Sequence, residues 1–562
     1  MSLKPVLGGC AAVLLLAIFA GPRLIATDPT VADLAMTGDT SAIRVLLAQH
    51  ADINAPQADG ATALHWAVYR SDSALAKLLI DAGANVRAAN RDGATPLSLA
   101  ATAGNAEMIA TLLGAGASPN EKLPFGKTAL MLAARNGNPA ALTVLLDHGA
   151  DVNAKEDLRG TTPLMWAADE EHPDAVKLLI EHGADVKARS AAAARGRGPA
   201  LGKAGDPRKE QASRAAVDQA DAAASRQRQA AAGQTPFERE GPADGGQLTA
   251  LVYAARTGDL ESVKILLAAG ADVNQTTGYG WSPLLVATQN RHYKLAAYLL
   301  DHGANPDLAN NGGWTPLYLA TDNRNIENGD YPVRKADMDH LDFIKLLLDK
   351  GVDVNARVKD STETRTVFTN QWLDERGATA FLRASQSSDL VLMKLLLAHG
   401  ADPKIPTELN VTALQVAAGI GWVEGVTTEW SEDANVEAVK LLLDLGVDPN
   451  VQAETGRTAL HGAAHKGRTA VIQLLVDAGA RVDTKDYGMI GNDAGGRLKA
   501  HTWQPVDYAD GLVRVGVQSA IAHPAAGLLL RKLMTEHGLV APPVGRTLES
   551  VCIVGELCDD VQ

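Results

Sequence analysis

The segment from Phe125 to Asp157 carries apolar and polar positions in a pattern that predicts two short helices and an extended loop. Thr128 is suited to the N-cap of the first helix, which has apolar residues at helical spacing. Gly137 ends that helix, because glycine readily adopts the left-handed cap conformation, and Pro139 suits the first turn of the second helix. Neither helix is long enough to be stable alone, so each is expected to bury its apolar face against a copy of itself.

Most of the chain repeats this segment, and the copies align at the Thr or Ser that opens a T-x-L or S/T-P-L sequence. Five of the nine steps between neighbouring copies are 33 residues long. A His follows the Leu in two copies, at His65 and His461. We call the aligned positions register residues, and they are Thr62, Thr95, Thr128, Thr162, Thr249, Ser282, Thr315, Thr379, Thr412 and Thr458.

A 33-residue step with a T-P-L-H-x-A-like sequence resembles the ankyrin repeat. The resemblance covers residues 29–540 and implies an all-α fold with short hairpin-like finger loops. It further implies a solenoid of about ten full repeats with N- and C-terminal caps. Several copies carry Ala in place of the Pro, or another residue in place of the His, and we expect these copies to stack all the same.

The chain divides into five parts by composition and spacing. Residues 1–26 are a targeting segment, 29–190 the N-terminal repeats, 191–246 an insert, 247–540 the repeats with inserts and a C-terminal cap, and 541–562 an acidic tail. The insert is rich in Ala, Arg, Gln and Gly, a composition typical of disorder. It falls in a finger loop, so the helices on either side are expected to stack directly in one continuous solenoid. Smaller inserts fall near 323–338, 359–374 and 421–432, and a long finger loop follows Gly479.

The first residues have the pattern of an export signal, with Lys4 before an apolar run from Ala11 to Ala20. Small residues at Ala20 and Ala26 offer cleavage sites. We expect an exported protein, periplasmic or secreted after cleavage, or anchored to the membrane by residues 5–22 if the segment is retained. Cys10 lies before most of the apolar run, which argues against lipidation.

The composition argues against nucleic-acid binding, because the net charge is −14 and the repeats lack a strong basic patch. Aromatic residues are only 4% of the chain, as expected for a core of Ala and Leu. Cys552 and Cys558 lie close together in the tail and form either a small disulfide or two free thiols. We expect a monomer without cofactor or metal.

Catalytic chemistry is not indicated. His148, His182, His302 and His399 occupy one repeat position before Gly-Ala, and a residue that recurs at one position is most simply part of the unit. There is no H-E-x-x-H sequence, no glycine-rich phosphate loop after a strand, and no Ser, His and Asp set that the register brings together. The sequence therefore predicts a protein that is not an enzyme.

Aromatic residues at variable repeat positions are the best candidates for binding a partner, because exposed large aromatics are favoured in interfaces. One set follows the T-x-L-H position, which faces the concave side of an ankyrin stack, and the other set precedes the register residue at the loop tip. Alternatively, each loop-tip ring covers the neighbouring loop. The candidates are Trp66, Tyr69, Trp166, Tyr253, Tyr279, Trp281 and Trp314.

The resemblance, the export signal and the missing catalytic set together favour a non-enzymatic scaffold that binds a protein partner in the periplasm or outside the cell. The alternative is a regulatory or accessory subunit of an exported enzyme. The sequence does not separate the two.

Overall fold

The computed structural model describes residues 29–192, 246–325, 335–359, 373, 375–423, 429–488, 502–513 and 520–551. The predicted targeting segment 1–26, nearly all of the predicted insert 191–246, and both Cys552 and Cys558 lie outside these described residues. The described chain forms two compact units. The first contains residues 29–100 and 111–117, and the second contains residues 101–110 and those from 118 onward.

The described residues form 24 α-helices and two 3-10 helices of three residues each, Pro124–Gly126 and Glu549–Val551, and contain no β-strand. This confirms the prediction of an all-α fold. The helices are α1 Val31–Thr37, α2 Thr40–Ala48, α3 Ala63–Tyr69, α4 Ser73–Asp81, α5 Pro96–Thr102, α6 Ala106–Gly114, α7 Ala129–Asn136, α8 Pro139–Asp147, α9 Pro163–Asp169, α10 Pro173–Glu181, α11 Ala250–Thr257, α12 Leu260–Ala268, α13 Pro283–Gln289, α14 Tyr293–Asp301, α15 Pro316–Arg324, α16 His340–Asp349, α17 Ala380–Gln386, α18 Leu390–Ala398, α19 Ala413–Ala418, α20 Glu432–Asp444, α21 Ala459–Lys466, α22 Thr469–Asp477, α23 Pro505–Ala509 and α24 Pro524–Glu536. None of these helices combines the length and the apolar character needed to cross a membrane.

The register residues act as helix caps, as predicted from their residue type. Thr128 precedes α7, and its hydroxyl oxygen accepts a hydrogen bond from the Met131 backbone N–H at 3.4 Å. Gly137 ends the helix at a φ of +81°, a left-handed conformation that L side chains rarely adopt. Pro139 then occupies the first position of α8, where its missing N–H costs nothing.

Odd-numbered helices are the first helices of their pairs, and even-numbered helices are the second. In the second unit, each first helix from α7 to α21 packs on the first helix of the next pair. Leu130, Leu142 and Leu145 are completely buried between the helices of one pair and its neighbours. In the first unit, α1 packs on both α2 and α3, and α3 packs on α4. Each pair thus buries its apolar stripe against another copy, as the length of the helices requires.

The finger loops are tight turns closed by a backbone hydrogen bond. The Thr277 N–H donates to the Trp281 carbonyl at 2.9 Å, and the Asn310 N–H donates to the Trp314 carbonyl at 3.1 Å. A further bond joins neighbouring turns, where the Asn311 N–H donates to the Tyr279 carbonyl at 3.1 Å. These bonds satisfy the backbone polar groups of otherwise exposed loops.

The long insert leaves and rejoins the fold at one finger loop. The Gln247 N–H donates to the Ala191 carbonyl at 3.0 Å, and the Ser190 N–H donates to the Leu248 carbonyl at 2.9 Å. On the two sides of the insert, α9 packs on α11 and α10 packs on α12. The two ends of the insert therefore lie next to each other.

One insert begins later than the spacing suggested. Helix α15 continues through Arg324, although the repeat spacing placed the start of an insert near Asn323. The extra residues are held by neighbouring copies, because the Asn323 amide donates to the Thr288 carbonyl at 2.8 Å and Arg324 pairs with Asp389 at 2.7 Å.

Candidate functional site

Three positions on each first helix form a surface that we call the first-helix face. They are the fourth, seventh and eighth positions after the register residue. In the four copies that begin at Thr128, Thr162, Thr249 and Ser282, these positions are exposed or half-buried, with Tyr253 as the one buried exception. In the four copies that begin at Thr315, Thr379, Thr412 and Thr458, all of these positions are buried. We call the two parts the open section and the covered section.

Residues from the inserts cover part of the covered section. Leu373 packs in one apolar cluster with Leu319 and Val416, which occupy the fourth position of their copies, and with Ile420 at the eighth. The indole N–H of Trp430 donates to the Asn325 side-chain oxygen at 3.0 Å. The contacts of Leu373 explain why the fourth position is buried in the copies that begin at Thr315 and Thr412.

Ion pairs between copies mark the open section. Arg135 lies 3.0 Å from Glu170, and both side chains are more than two-fifths exposed. Arg256 pairs with Asp169, and its guanidinium lies 5.0 Å from the ring centroid of Tyr253. Exposed pairs of this kind contribute about 0–1 kcal/mol, so they can be exchanged for contacts with a partner at little cost.

Trp166 is the accessible aromatic residue of the open section. Its ring is half-buried, and its indole N–H donates to the Thr161 hydroxyl at 2.8 Å. In the first unit, the Trp66 indole donates to the Gln57 side chain at 2.7 Å. Tyr69 is 72% exposed and contacts the Trp66 ring edge-on at a centroid distance of 5.7 Å. The indole hydrogen bonds fix the two tryptophan rings. Tyr69 is the most accessible of the predicted residues.

The other predicted aromatic residues are less accessible. Of the two interpretations of the loop-tip rings, the covering one fits Trp314, which is 2% exposed and packs edge-on against Tyr318 at 4.8 Å. Trp281 is half-buried against the same apolar cluster, and Tyr279 is half-buried in the finger loop. Tyr253 is buried beneath Arg256. The rings of Trp314 and Tyr253 therefore offer almost no surface to a partner.

The sequence did not indicate several of the exposed apolar side chains, and two of these are neighbours. Phe125 is 58% exposed and Leu158 is 45% exposed, on adjacent finger loops of the second unit. The Asp157 N–H donates to the Phe125 carbonyl at 2.8 Å, which holds the two loops together. The Lys127 amine lies 5.8 Å from the Phe125 ring centroid. Their signal in the sequence is a large apolar residue within the turn of a finger loop.

The recurring histidines before Gly-Ala contact the last turn of their own helix. The Nδ1 atoms of His148, His182 and His302 each lie 2.8 Å from the backbone carbonyl four residues earlier. His461 lies in the core, where burial lowers its pKa to about 4. Among the described residues, no group of three or more His, Cys, Asp or Glu side chains is placed to hold a metal ion.

A family model for "Ankyrin repeats (3 copies)" matches the chain at residues 32–122, 111–190, 251–358 and 430–491. These matches extend over more than half of the 562 residues. No curated protein matches the chain.

Proposed function

Because the chain belongs to the ankyrin-repeat family, whose repeats generally mediate contacts between proteins, we propose that it is a non-enzymatic scaffold. Its partner is a protein that binds the open section of the first-helix face. The observation that carries this proposal is the change in accessibility along that face. Eleven of the twelve positions are accessible in the open section and none in the covered section, although both sections repeat the same helix pattern.

The chemistry of the open section suits a protein partner. Trp166 offers a ring held by its own hydrogen bond, so binding costs it little conformational freedom. Arg135 and Arg256 offer guanidinium groups on the two copies that flank the copy of Trp166. Trp and Arg dominate the binding energy of many protein interfaces. Phe125 and Leu158 extend the apolar surface at adjacent finger loops.

The proposed location is the periplasm or the cell exterior. Support comes from the sequence of residues 1–26, with a positive start, an apolar run and small residues after it. An export assay in which residues 1–26 are fused to a reporter that is active only outside the cytoplasm tests this location. A reporter that stays inactive, while a known signal activates it, would contradict the location.

A matched pair of double variants tests the binding surface. The test variant carries Trp166→Ala and Arg256→Glu on the open section. The control carries Tyr298→Ala and Lys264→Glu on second helices, where the Lys264 amine lies 5.9 Å from the Tyr298 ring centroid. Both variants thus remove one aromatic ring and reverse one cation, and the two cations are similarly exposed, Arg256 by 46% and Lys264 by 41%.

The experiment is affinity capture from an envelope extract with mass spectrometry, followed by binding measurements with each purified retained protein. We expect the test variant to bind the partner at least about tenfold more weakly than the control, because it removes two residues of the kinds that dominate interfaces. Thermal unfolding must show both variants folded. Equal binding by the two variants would exclude the open section. An enzyme as the partner would identify the accessory-subunit form of the function.

A further inference from the structure

A carboxylate from an insert lies between Lys466 of the covered section and the nearby Arg468. Glu429 contacts the Lys466 amine at 2.5 Å and the Arg468 guanidinium at 2.7 Å. The Lys466 side chain is only 1% exposed. Burial lowers the pKa of Lys466, and the charge of Glu429 acts in the opposite direction. A buried ammonium group needs such a partner, because an unpaired buried charge is strongly unfavourable.

The next residue places an aromatic ring on the same face. The Arg324 guanidinium lies 4.4 Å from the Trp430 ring centroid, and the Trp430 indole donates to Asn325 at 3.0 Å. The Trp430 backbone N–H donates to the Ser387 carbonyl at 3.3 Å. Arg324 is itself held by Asp389 at 2.7 Å, so its position does not depend on Trp430.

These contacts resemble a bound ligand more than a core. Trp430 remains 50% exposed, whereas Leu373, from another insert, is buried in the apolar cluster. The groups that receive Glu429 and Trp430 belong to the copies that begin at Thr315, Thr379 and Thr458, while Glu429 and Trp430 belong to the copy that begins at Thr412. The contacts are hydrogen bonds, ion pairs and a cation–π contact, which are typical of reversible recognition.

We propose that Glu429 and Trp430 are a built-in ligand, and that the covered section recognises a partner segment in which a carboxylate residue precedes an aromatic residue. The carboxylate of the partner takes the place between Lys466 and Arg468, and its ring takes the place against Arg324. This inference concerns a second surface and does not depend on the partner of the open section. The apparent affinity for a partner equals the intrinsic affinity multiplied by the fraction of molecules in which the built-in ligand leaves the surface free.

The test uses the full chain and a labelled peptide with the sequence of residues 427–433, TTEWSED. Fluorescence anisotropy gives its affinity for the wild type, for Glu429→Gln with Trp430→Ala, and for Trp430→Ala alone. We expect both variants to bind the peptide at least about tenfold more tightly than the wild type, because their own segment competes more weakly once the Trp430 ring is absent. A peptide with Gln and Ala in place of Glu and Trp is the control and is expected not to bind.

Circular dichroism and thermal unfolding establish which variants fold. Trp430→Ala keeps the pairing of Glu429 with Lys466, so this variant decides the outcome if the double variant is unfolded. Peptide binding by the folded variant that is no tighter than binding by the wild type would overturn the proposal. So would equal binding of the control peptide. Neither result bears on the open section, whose test uses different residues and no peptide.

Discussion

Individual buried polar side chains join one copy of the repeat to the next. In His461, both ring nitrogens make hydrogen bonds that require one particular protonation state. Its Nδ1 accepts from the Thr458 backbone N–H at 3.0 Å, and its Nε2 lies 3.2 Å from the Trp503 carbonyl. Both bonds form only with the neutral ring that carries its proton on Nε2, because a charged ring would place a second N–H against the Thr458 N–H.

His461 therefore makes stability depend on pH. Its pKa is about 4 in the folded protein and about 6.5 in an unfolded chain, so the unfolded state binds more protons between these values. The stability that the neutral His461 ring contributes above pH 6.5 is lost as the pH falls towards 4. The total loss is ~3 kcal/mol. Denaturant unfolding at pH 7 and at pH 4.5 measures this loss.

The chain itself supplies the control for this prediction. Gln415 occupies the same repeat position, accepts from the Thr412 N–H at 2.7 Å and donates to the Arg457 carbonyl at 2.9 Å. His461→Gln should keep both bonds without a titrating group. The variant should lose less stability than the wild type between the two pH values. An identical loss in both proteins would show that His461 does not cause it.

Pairs of helices are joined by buried charges in the covered section. The Arg383 Nε on α17 donates to Asp322 on α15 at 2.7 Å, and another guanidinium nitrogen donates to the Asn325 carbonyl at 2.6 Å. Both charged side chains are less than a tenth exposed. Such a pair favours the stacked helices only as long as both partners are present.

A double-mutant cycle tests this joining of α15 and α17. Asp322→Ala alone leaves the guanidinium of Arg383 buried without its carboxylate and should reduce the free energy of unfolding by about 3–5 kcal/mol. Asp322→Ala combined with Arg383→Met removes both charges and should cost clearly less than the single substitution. Denaturant unfolding measures both free energies, and additive losses would contradict the pairing.

The whole chain tolerates long interruptions because its contacts connect neighbouring copies. Helices α9 and α11 pack on each other although 53 residues between 193 and 245 separate the described segments around them. Ala191 and Gln247 are already joined by a hydrogen bond of 3.0 Å. A short link can therefore replace the insert without moving the helices on either side.

Replacement of residues 193–245 by a short Gly-Ser link should leave the helical circular dichroism per folded residue unchanged. The melting temperature should equal or exceed that of the wild type, because closing a shorter loop costs less entropy, by about 0.6 kcal/mol for each halving. A matched deletion of α9 and α10, which carry packing contacts, should lower the melting temperature. A large fall in the melting temperature without the insert would show that the insert contributes to the fold.

The repeat architecture could be read from local sequence, and the family match confirms the resemblance. Thr caps, Gly stops and apolar stripes act within about one turn of their own helix, so they specify helices wherever they occur. The prediction of paired short helices followed from these local rules. The all-α fold with short finger loops was implied by the ankyrin resemblance, and the spacing of the copies indicated where the inserts fall.

Accessibility, in contrast, depended on contacts between distant residues. Trp166 and Arg383 share one repeat position, yet Trp166 is half-buried on the open section and Arg383 is buried on the covered section. Arg383 is held by distant residues, because its guanidinium donates to Asp322 and to the Asn325 carbonyl. The insert residue Trp430 in turn donates to the Asn325 side chain. The periodicity of a helix specifies which side a residue faces. What covers that side is determined by residues far away in the chain, because they can reach it only when the copies are stacked.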